Sequence, residues 1–353
     1  MRDRVLRLAC ILALGVAVSP LTVFAAGQGR AAAAPSSSVA RAPDGRPDLQ
    51  GVYDVATITP IERPRNVSGL ILTAETAARL ERAEKARTEE RALPSPVDRA
   101  APPLGGNVGG YNNFWIARGT DVITIDGRAR SSLVIDPPDG RIPPTTEEGR
   151  QRNAARSGQA SPDASETTVT AARYDNPEER PLGERCLLGF GSTSGPPTLP
   201  NYFYNNLKQI VQTPGYVTIL NEMVHDARVI RIGGEHPPAH VKKWMGDSVG
   251  HWEGDTLVVD TTNFTDKTRF RGSSDRLHVV ERFSRIDAKT LLYTFTVEDP
   301  TTWTRPWTGE YPWPSTDEPM FEYACHEGNY ALGHILSGAR VLEKEAAEQK
   351  TVR

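Results

Sequence analysis

The sequence predicts an all-β fold, an antiparallel meander that closes as an up-and-down barrel or packs as a sandwich, with a few peripheral helices. Three observations predict it. The 353 residues hold 28 prolines and 30 glycines, many set between short runs of β-branched and aromatic residues, which is the pattern of short strands punctuated by turns. Within those runs apolar and polar residues alternate, so one side of each strand is built to face a core. Tight-turn sequences join several runs directly, and strands joined that way lie side by side and antiparallel.

The chain begins with a basic stretch, Met1 to Arg7, followed by an apolar run from Leu8 to Val18 and the small-residue site Val23-Phe24-Ala25. Residues 1–26 therefore read as a signal peptide cleaved after Ala25 or Ala26. An uncleaved anchor is the weaker reading, because Ser19-Pro20 interrupts an apolar run already short for a bilayer. The mature chain is expected to be periplasmic or secreted, with no stable membrane insertion once the signal is removed. Residues 27–46, rich in Gly, Arg, Ala, Pro and Ser, form a flexible linker. A single β-rich domain spans 47–353.

Within that domain a first strand is expected over 51–57, and Thr73 caps a charged outer helix over Ala74–Ala92. A Pro/Gly-rich loop covers 93–110. Residues 122–126 and 132–136 read as a strand pair closed off by the turn Pro137-Pro138-Asp139-Gly140. Thr145 and Glu148 make a capping box for a short polar helix ending near Ala155. Residues 157–180, nearly devoid of apolar side chains, read as an exposed excursion.

From Gly183 onward the β pattern is dense. Leu207–Gln212 and 216–224 flank the turn Thr213-Pro214-Gly215, and Ala227–Ile232 stops at Gly233-Gly234. After a linker with His236-Pro237-Pro238-Ala239-His240 comes the hairpin Gly250-His251-Trp252-Glu253-Gly254-Asp255-Thr256-Leu257-Val258-Val259-Asp260. Gly254 in the first central position suits a type II′ turn, which pairs 253 with 256, 252 with 257 and 251 with 258. Trp252, Leu257 and Val259 then share one face, and His251, Glu253, Thr256, Val258, Asp260 and Thr262 share the other. Residues 277–285 and Thr290–Glu298 flank another short turn, 321–325 is a further strand, and 335–342 is a last strand or helix.

Gly246-Asp247-Ser248 leading into this hairpin resembles a group of secreted proteins of soil and environmental bacteria. So do Leu277-His278-Val279-Val280-Glu281-Arg282-Phe283, Trp303-Thr304-Arg305-Pro306-Trp307 and Phe321-Glu322-Tyr323-Ala324-Cys325-His326-Glu327-Gly328-Asn329. The resemblance covers roughly the second half of the chain and, with no activity assigned to that group, transfers no catalytic role. The Trp-x-Gly-Asp-Thr-Leu hairpin is similar to pieces of lipocalin-like β-barrel proteins, a likeness of fold alone.

A formal net charge of -3 gives no electrostatic case for nucleic acid or anionic membranes as partners. Cys10 leaves with the signal peptide, so Cys186 and Cys325 remain, and two thiols in an oxidising compartment point to one disulfide. A buried free pair is the alternative, because spacing alone does not bring the Cβ atoms together.

Four histidines lie in or beside expected strands, each with a carboxylate close in sequence: His225 with Glu222 or Asp226, His251 with Glu253, His278 with Glu281, and His326 with Glu327. A carboxylate beside an imidazole sets its tautomer and raises its basicity, as a general base requires. For each histidine singly, a structural role is the better reading. His236-x-x-x-His240 has helical ligand spacing, but Pro237-Pro238 breaks a regular helix there. No Cys-x-x-Cys or His-Glu-x-x-His occurs, so no metal or other cofactor is expected. There is no nucleophile elbow and no dinucleotide fingerprint. Aromatics at Tyr202, Phe203, Tyr204, Trp303, Trp307 and Trp313 either stack on a sugar or aromatic ligand or plug a barrel end.

The leading expectation is an enzyme of lyase, isomerase or hydrolase type acting on a small organic or glycosidic molecule. His251 and Glu253 would be base and orienter, and His225, His278 and His326 are further catalytic candidates. Arg282 and Arg305 would stabilise an anion, while Asp260, Trp303, Tyr204 and Asn329 would touch the substrate. Two alternatives stand beside it, a β-barrel that binds an apolar or aromatic ligand without chemistry, and a structural envelope protein.

Overall fold

The structure, a computed structural model, describes residues 39–94, 98, 100, 116–157, 174–201 and 204–351. The expected signal peptide, the linker up to residue 38, most of the Pro/Gly loop, the centre of the excursion, and Tyr202 and Phe203 lie outside them.

The described strands are, in chain order, β1 (Gly51–Asp54), β2 (Thr124–Ile125), β3 (Arg128–Ala129), β4 (Val134–Asp136), β5 (Leu207–Gln212), β6 (Tyr216–Asn221), β7 (Ala227–Ile232), β8 (Asp247–Glu253), β9 (Thr256–Thr262), β10 (His278–Arg285), β11 (Thr290–Glu298) and β12 (Trp307–Pro314). The helices are α1 (Ala74–Ala92), α2 (Glu147–Ser157) and α3 (Tyr330–Thr351). Ten strands form one curled sheet in the order β1-β5-β6-β7-β8-β9-β10-β11-β12-β4, and β2 and β3 make a separate hairpin. The edge strand β1 comes back to the end of β12 through a bridge between Tyr53 and Ser315, and Thr316 N donates to Val52 O at 2.9 Å. The fold is thus all-β and barrel-like, as expected, with the helices at its periphery.

Registry at the hairpin follows the turn chemistry. His251 faces Val258, Trp252 faces Leu257 and Glu253 faces Thr256, and Gly254 takes φ +59°, the sign that a type II′ turn asks of its first central residue. Leu257 and Val259 are buried, and Trp252 packs against the same core. Residues 39–46 reach this turn as well, since Arg41 Nη2 lies 2.8 Å from Asp255 Oδ2.

The core is dominated by rings from the last three long strands. Phe283, Tyr293, Phe295, Trp307, Tyr311 and Trp313 are all fully buried. The Tyr293 ring lies 4.9 Å from Phe283 and 5.0 Å from Trp313, and Phe295 meets Trp307 edge-on at 5.7 Å. Such offset and edge contacts add to the burial of large apolar surfaces. Gly309 in β12 makes room for this layer, because a Cβ there would stand 2.4 Å from the Phe295 ring.

Several local expectations are corrected. The chain is not a pure meander, because β7 and β8 run parallel. Parallel neighbours need a crossover of a dozen or more residues, and 233–246 supplies it after Gly233 and Gly234, both at positive φ, release the chain from β7. Residues 122–126 and 132–136 do not pair with each other. Asp126-Gly127, with both φ values positive, turns β2 directly into β3, and β4 pairs with β12 instead. Residues 321–325 are not a strand, 335–342 belongs to α3, and the first strand ends at Asp54. Thr146, one residue after the expected cap, accepts the Gly149 N–H at 3.0 Å at the start of α2. Thr73 caps α1 as expected, accepting from Thr76 N at 3.2 Å. Cys186 and Cys325 are joined as a disulfide, with Cα atoms 5.7 Å apart and 139 residues between them in sequence.

Candidate functional site

The polar face of the hairpin looks outward. His251 Nε2 lies 3.2 Å from Glu253 Oε1, and Arg282 holds the other carboxylate oxygen. All three side chains are about half exposed, and Arg282 first, then His251, keeps the Glu253 carboxyl below its ordinary range. This is a solvated ion-pair group on a convex surface.

Further along the same face stands a chain of alternating carboxylates and imidazoles. Asp247 Oδ2 is 3.0 Å from His236 Nδ1, His236 Nε2 is 2.9 Å from Asp260 Oδ1, and Asp260 Oδ2 is 2.7 Å from His278 Nε2. Asp247, fully buried, also accepts from Arg231 at 2.7 Å and Lys243 at 2.6 Å. Arg231 above all, with Lys243 and His236, holds the Asp247 carboxyl far below its usual range despite its burial. The His278 hydrogen bond lowers Asp260, and by the same contact Asp260 raises His278. His236 sits in the crossover, Asp247 on β8, Asp260 on β9 and His278 on β10. Together with Asn263 Nδ2, which donates to Pro237 O at 2.9 Å, the chain pins the crossover to the sheet.

A second polar group lies inside the barrel. The alternation that buries Ile210, Ile230, Val279 and Phe283 also buries Lys208, Arg228 and Glu281, because residues two apart on a strand share a face. Glu281 therefore points away from His278 and into the core. It accepts from Arg228 Nη1 at 2.7 Å and from the Tyr293 hydroxyl at 2.7 Å. The Tyr293 hydroxyl in turn accepts from Thr198 N at 2.9 Å, and Tyr311 donates to Thr198 O at 2.8 Å, so the loop before β5 is tied to the barrel interior. Lys208 Nζ is buried with no hydrogen-bond partner. Burial pushes Lys208 down to about 8 against the pull of Glu222, Asp226 and Asp54, and pushes Asp226 up to about 6.

A concave feature lies elsewhere. A cleft of about 790 Å³ opens between the start of β5 and the C-terminal segment 318–335, with Phe190, Tyr204, Phe321, Tyr323, Leu332 and Ile335 among its walls. On its sheet side are Asp54 and Leu207, paired across β1 and β5. Its roof has no strand to hold it and is stapled by contacts distant in sequence. Glu222 accepts Phe321 N at 3.0 Å with one oxygen and Leu207 N at 3.3 Å with the other. The disulfide fixes Cys325, Asn329 Nδ2 donates to Glu184 O at 2.9 Å, and the Tyr204 and Tyr323 rings stack 6.3 Å apart. His225 Nδ1 lies 3.0 Å from Tyr323 O. That contact comes from a strained turn, with Val224 at φ +60° and His225 at +45°. A left-handed β-branched residue is a rarity that the surrounding structure must enforce.

Of the residues singled out from sequence, Tyr204, Asn329 and Cys325 line the cleft, and His225 and Cys186 help hold its roof. His251, Glu253, Asp260, His278 and Arg282 lie together on the outer face and do not join them. Trp303 is buried against Trp307, with ring centroids 6.0 Å apart. Arg305 pairs with Asp136 at 2.8 Å on the surface. His326 is exposed next to the disulfide, its carbonyl accepting from Asn329 N at 3.2 Å. His236, weighed from sequence only for its spacing to His240, and Asp247, Lys208 and Arg228 belong to polar groups that sequence reasoning did not assemble. Among the described residues no group of three or more His, Cys, Asp or Glu is arranged to hold a metal.

Comparison with protein-family models, with curated proteins and with solved structures finds no match. Among the described residues no helix is long and apolar enough to cross a membrane.

Proposed function

We propose that the protein is a periplasmic or secreted binding protein for a small molecule with an apolar or aromatic body, held in the cleft beneath the C-terminal segment. The observation that carries this reading is the aromatic-walled cavity of about 790 Å³, which falls within the range of roughly 300–1,000 Å³ typical of small-molecule sites. The barrel interior is not the candidate, because Tyr293, Trp307, Tyr311 and Trp313 fill it. The leader-like residues 1–26 and the disulfide support that compartment.

The test is saturable binding of the neutral fluorescent probe N-phenyl-1-naphthylamine to the purified protein. Leu332→Arg, in the cleft wall, is expected to weaken it about tenfold or more by placing a charge against an apolar ligand. Val229→Arg, on the exposed side of β7, is expected to leave it unchanged. No saturable binding, or equal affinity in Leu332→Arg, would remove the reading.

Acid–base catalysis is the second reading, and the half-exposed His278 beside Asp260 is what favours it. It moves the chemistry from His251 and Glu253 to the Asp247–His236–Asp260–His278 chain. A turnover found by substrate screening that survives both His236→Ala and His278→Ala would eliminate it.

A further inference from the structure

The charge of the cleft narrows the class of ligand. Among the described residues that line it are six carboxylates, Asp54, Glu184, Glu222, Glu318, Glu322 and Glu327, and no lysine, arginine or histidine. Three of these are committed within the protein. Glu184 is paired with Arg180 at 2.9 Å, Glu222 accepts two backbone N–H groups, and Asp54 accepts Ala56 N at 2.9 Å. Behind the sheet wall, buried Lys208 offsets part of the charge of Glu222 and Asp54. Crediting both Arg180 and Lys208 against the six carboxylates still leaves the cleft strongly negative. Carboxylates on a convex surface would be ordinary solvated side chains. Here they rim a cavity that also presents the rings of Phe190, Tyr204, Phe321 and Tyr323. Ring faces attract cations, and a concave site lined by one sign of charge concentrates the opposite sign.

We infer that the ligand of this cleft is an organic cation, an amine or quaternary ammonium group carried on an apolar or aromatic body. The inference rests on the binding reading above and adds the charge of the ligand to it. The rings supply contact for the body and for the cation face, while Glu318, Glu322 and Glu327, all exposed on the roof, supply the field. Anionic and neutral molecules of the same shape are disfavoured.

Competition against N-phenyl-1-naphthylamine tests it, with benzyltrimethylammonium, benzyl alcohol and phenylacetate as a matched cationic, neutral and anionic set. At low ionic strength the ammonium is expected to displace the probe at about tenfold lower concentration than the alcohol, with phenylacetate the weakest. That preference shrinks in molar salt. The triple variant Glu318→Gln, Glu322→Gln, Glu327→Gln, confined to exposed positions, is expected to cut the ammonium-over-alcohol preference to about threefold or less, read as a ratio within the variant. If alcohol and ammonium compete equally, or phenylacetate competes best, the cation inference is overturned. The binding reading survives that outcome as long as the probe still saturates and Leu332→Arg still weakens it. If the probe does not saturate at all, both fall together.

Discussion

Lys208→Met is expected to stabilise this protein at neutral pH, and to stop doing so as the solution becomes alkaline. Lys208 is 0 % exposed, facing the barrel interior from β5 between Tyr53 on β1 and Asn221 on β6. Its ammonium has no hydrogen-bond partner, and burial lowers it from 10.5 to about 8. Each unit corresponds to about 1.4 kcal/mol, so keeping the charge in this place costs the fold about 3–4 kcal/mol. The unfolded chain holds the proton more tightly than the folded one. The cost is therefore complete below pH 8, declines as pH rises from 8 to 10.5, and vanishes above that. Methionine keeps an unbranched stem of similar length without the charge. Urea unfolding of both proteins from about pH 7 to about pH 10.5 should show a gain of about 3–4 kcal/mol at the acid end that falls towards zero at the alkaline end. A Met variant less stable than the parent near neutrality, or a gain that does not change with pH, would refute the reasoning.

The buried pair of Arg228 and Glu281, 2.7 Å apart and 3 % and 0 % exposed, should behave in the opposite way. Glu281→Leu strands the guanidinium and is expected to cost about 3–5 kcal/mol in denaturant unfolding, while Arg228→Met combined with Glu281→Leu should recover most of that. Removing the disulfide by Cys186→Ser with Cys325→Ser, across a separation of 139 residues, is expected to cost about 2–5 kcal/mol by the same measurement. It should also weaken probe binding in the cleft, because Cys325 anchors the roof. On the outer face, His278 should titrate above its ordinary value in an NMR pH series, and Asp260→Asn should bring it back down. Contact between His278 and Asp260 therefore supports the fold at pH values where the imidazole is charged and the carboxylate is not protonated, and this support fades as pH rises through the His278 transition.

The hairpin at Gly254-Asp255 is legible in the sequence because a two-residue turn admits one register and Trp252, Leu257 and Val259 mark the buried side. Which way the other face looks is not local information. It depends on how the sheet curls, and the curl turns His251, Glu253 and His278 to solvent. Strand β12 is hidden by Pro306, Pro312 and Pro314, which read as breakers. It survives because β4 pairs only with Thr308 and Gly309, leaving Pro312 on an open edge where its missing N–H is tolerated. The parallel step from β7 to β8 is equally hidden, since Gly233-Gly234 and Pro237-Pro238 look the same in a loose hairpin as in a crossover. Lys208, Arg228 and Glu281 do carry a readable signal. Each stands two residues from an apolar core residue, at Ile210, Ile230 and Val279, so alternation alone places a charge inside. The cleft is the least legible feature. The alternating Phe321-Glu322-Tyr323 mimics a strand, and contacts from Glu184, Cys186, Tyr204, Glu222 and His225, roughly a hundred residues or more away, hold it as an irregular roof.

The most direct test of the binding account is the position of bound N-phenyl-1-naphthylamine in a crystal structure of its complex with the full protein. The account predicts the probe between Tyr204, Tyr323 and Leu332, beneath the disulfide-anchored segment. A probe found on the outer face beside Asp260 and His278, or inside the barrel against Trp307 and Lys208, would contradict it.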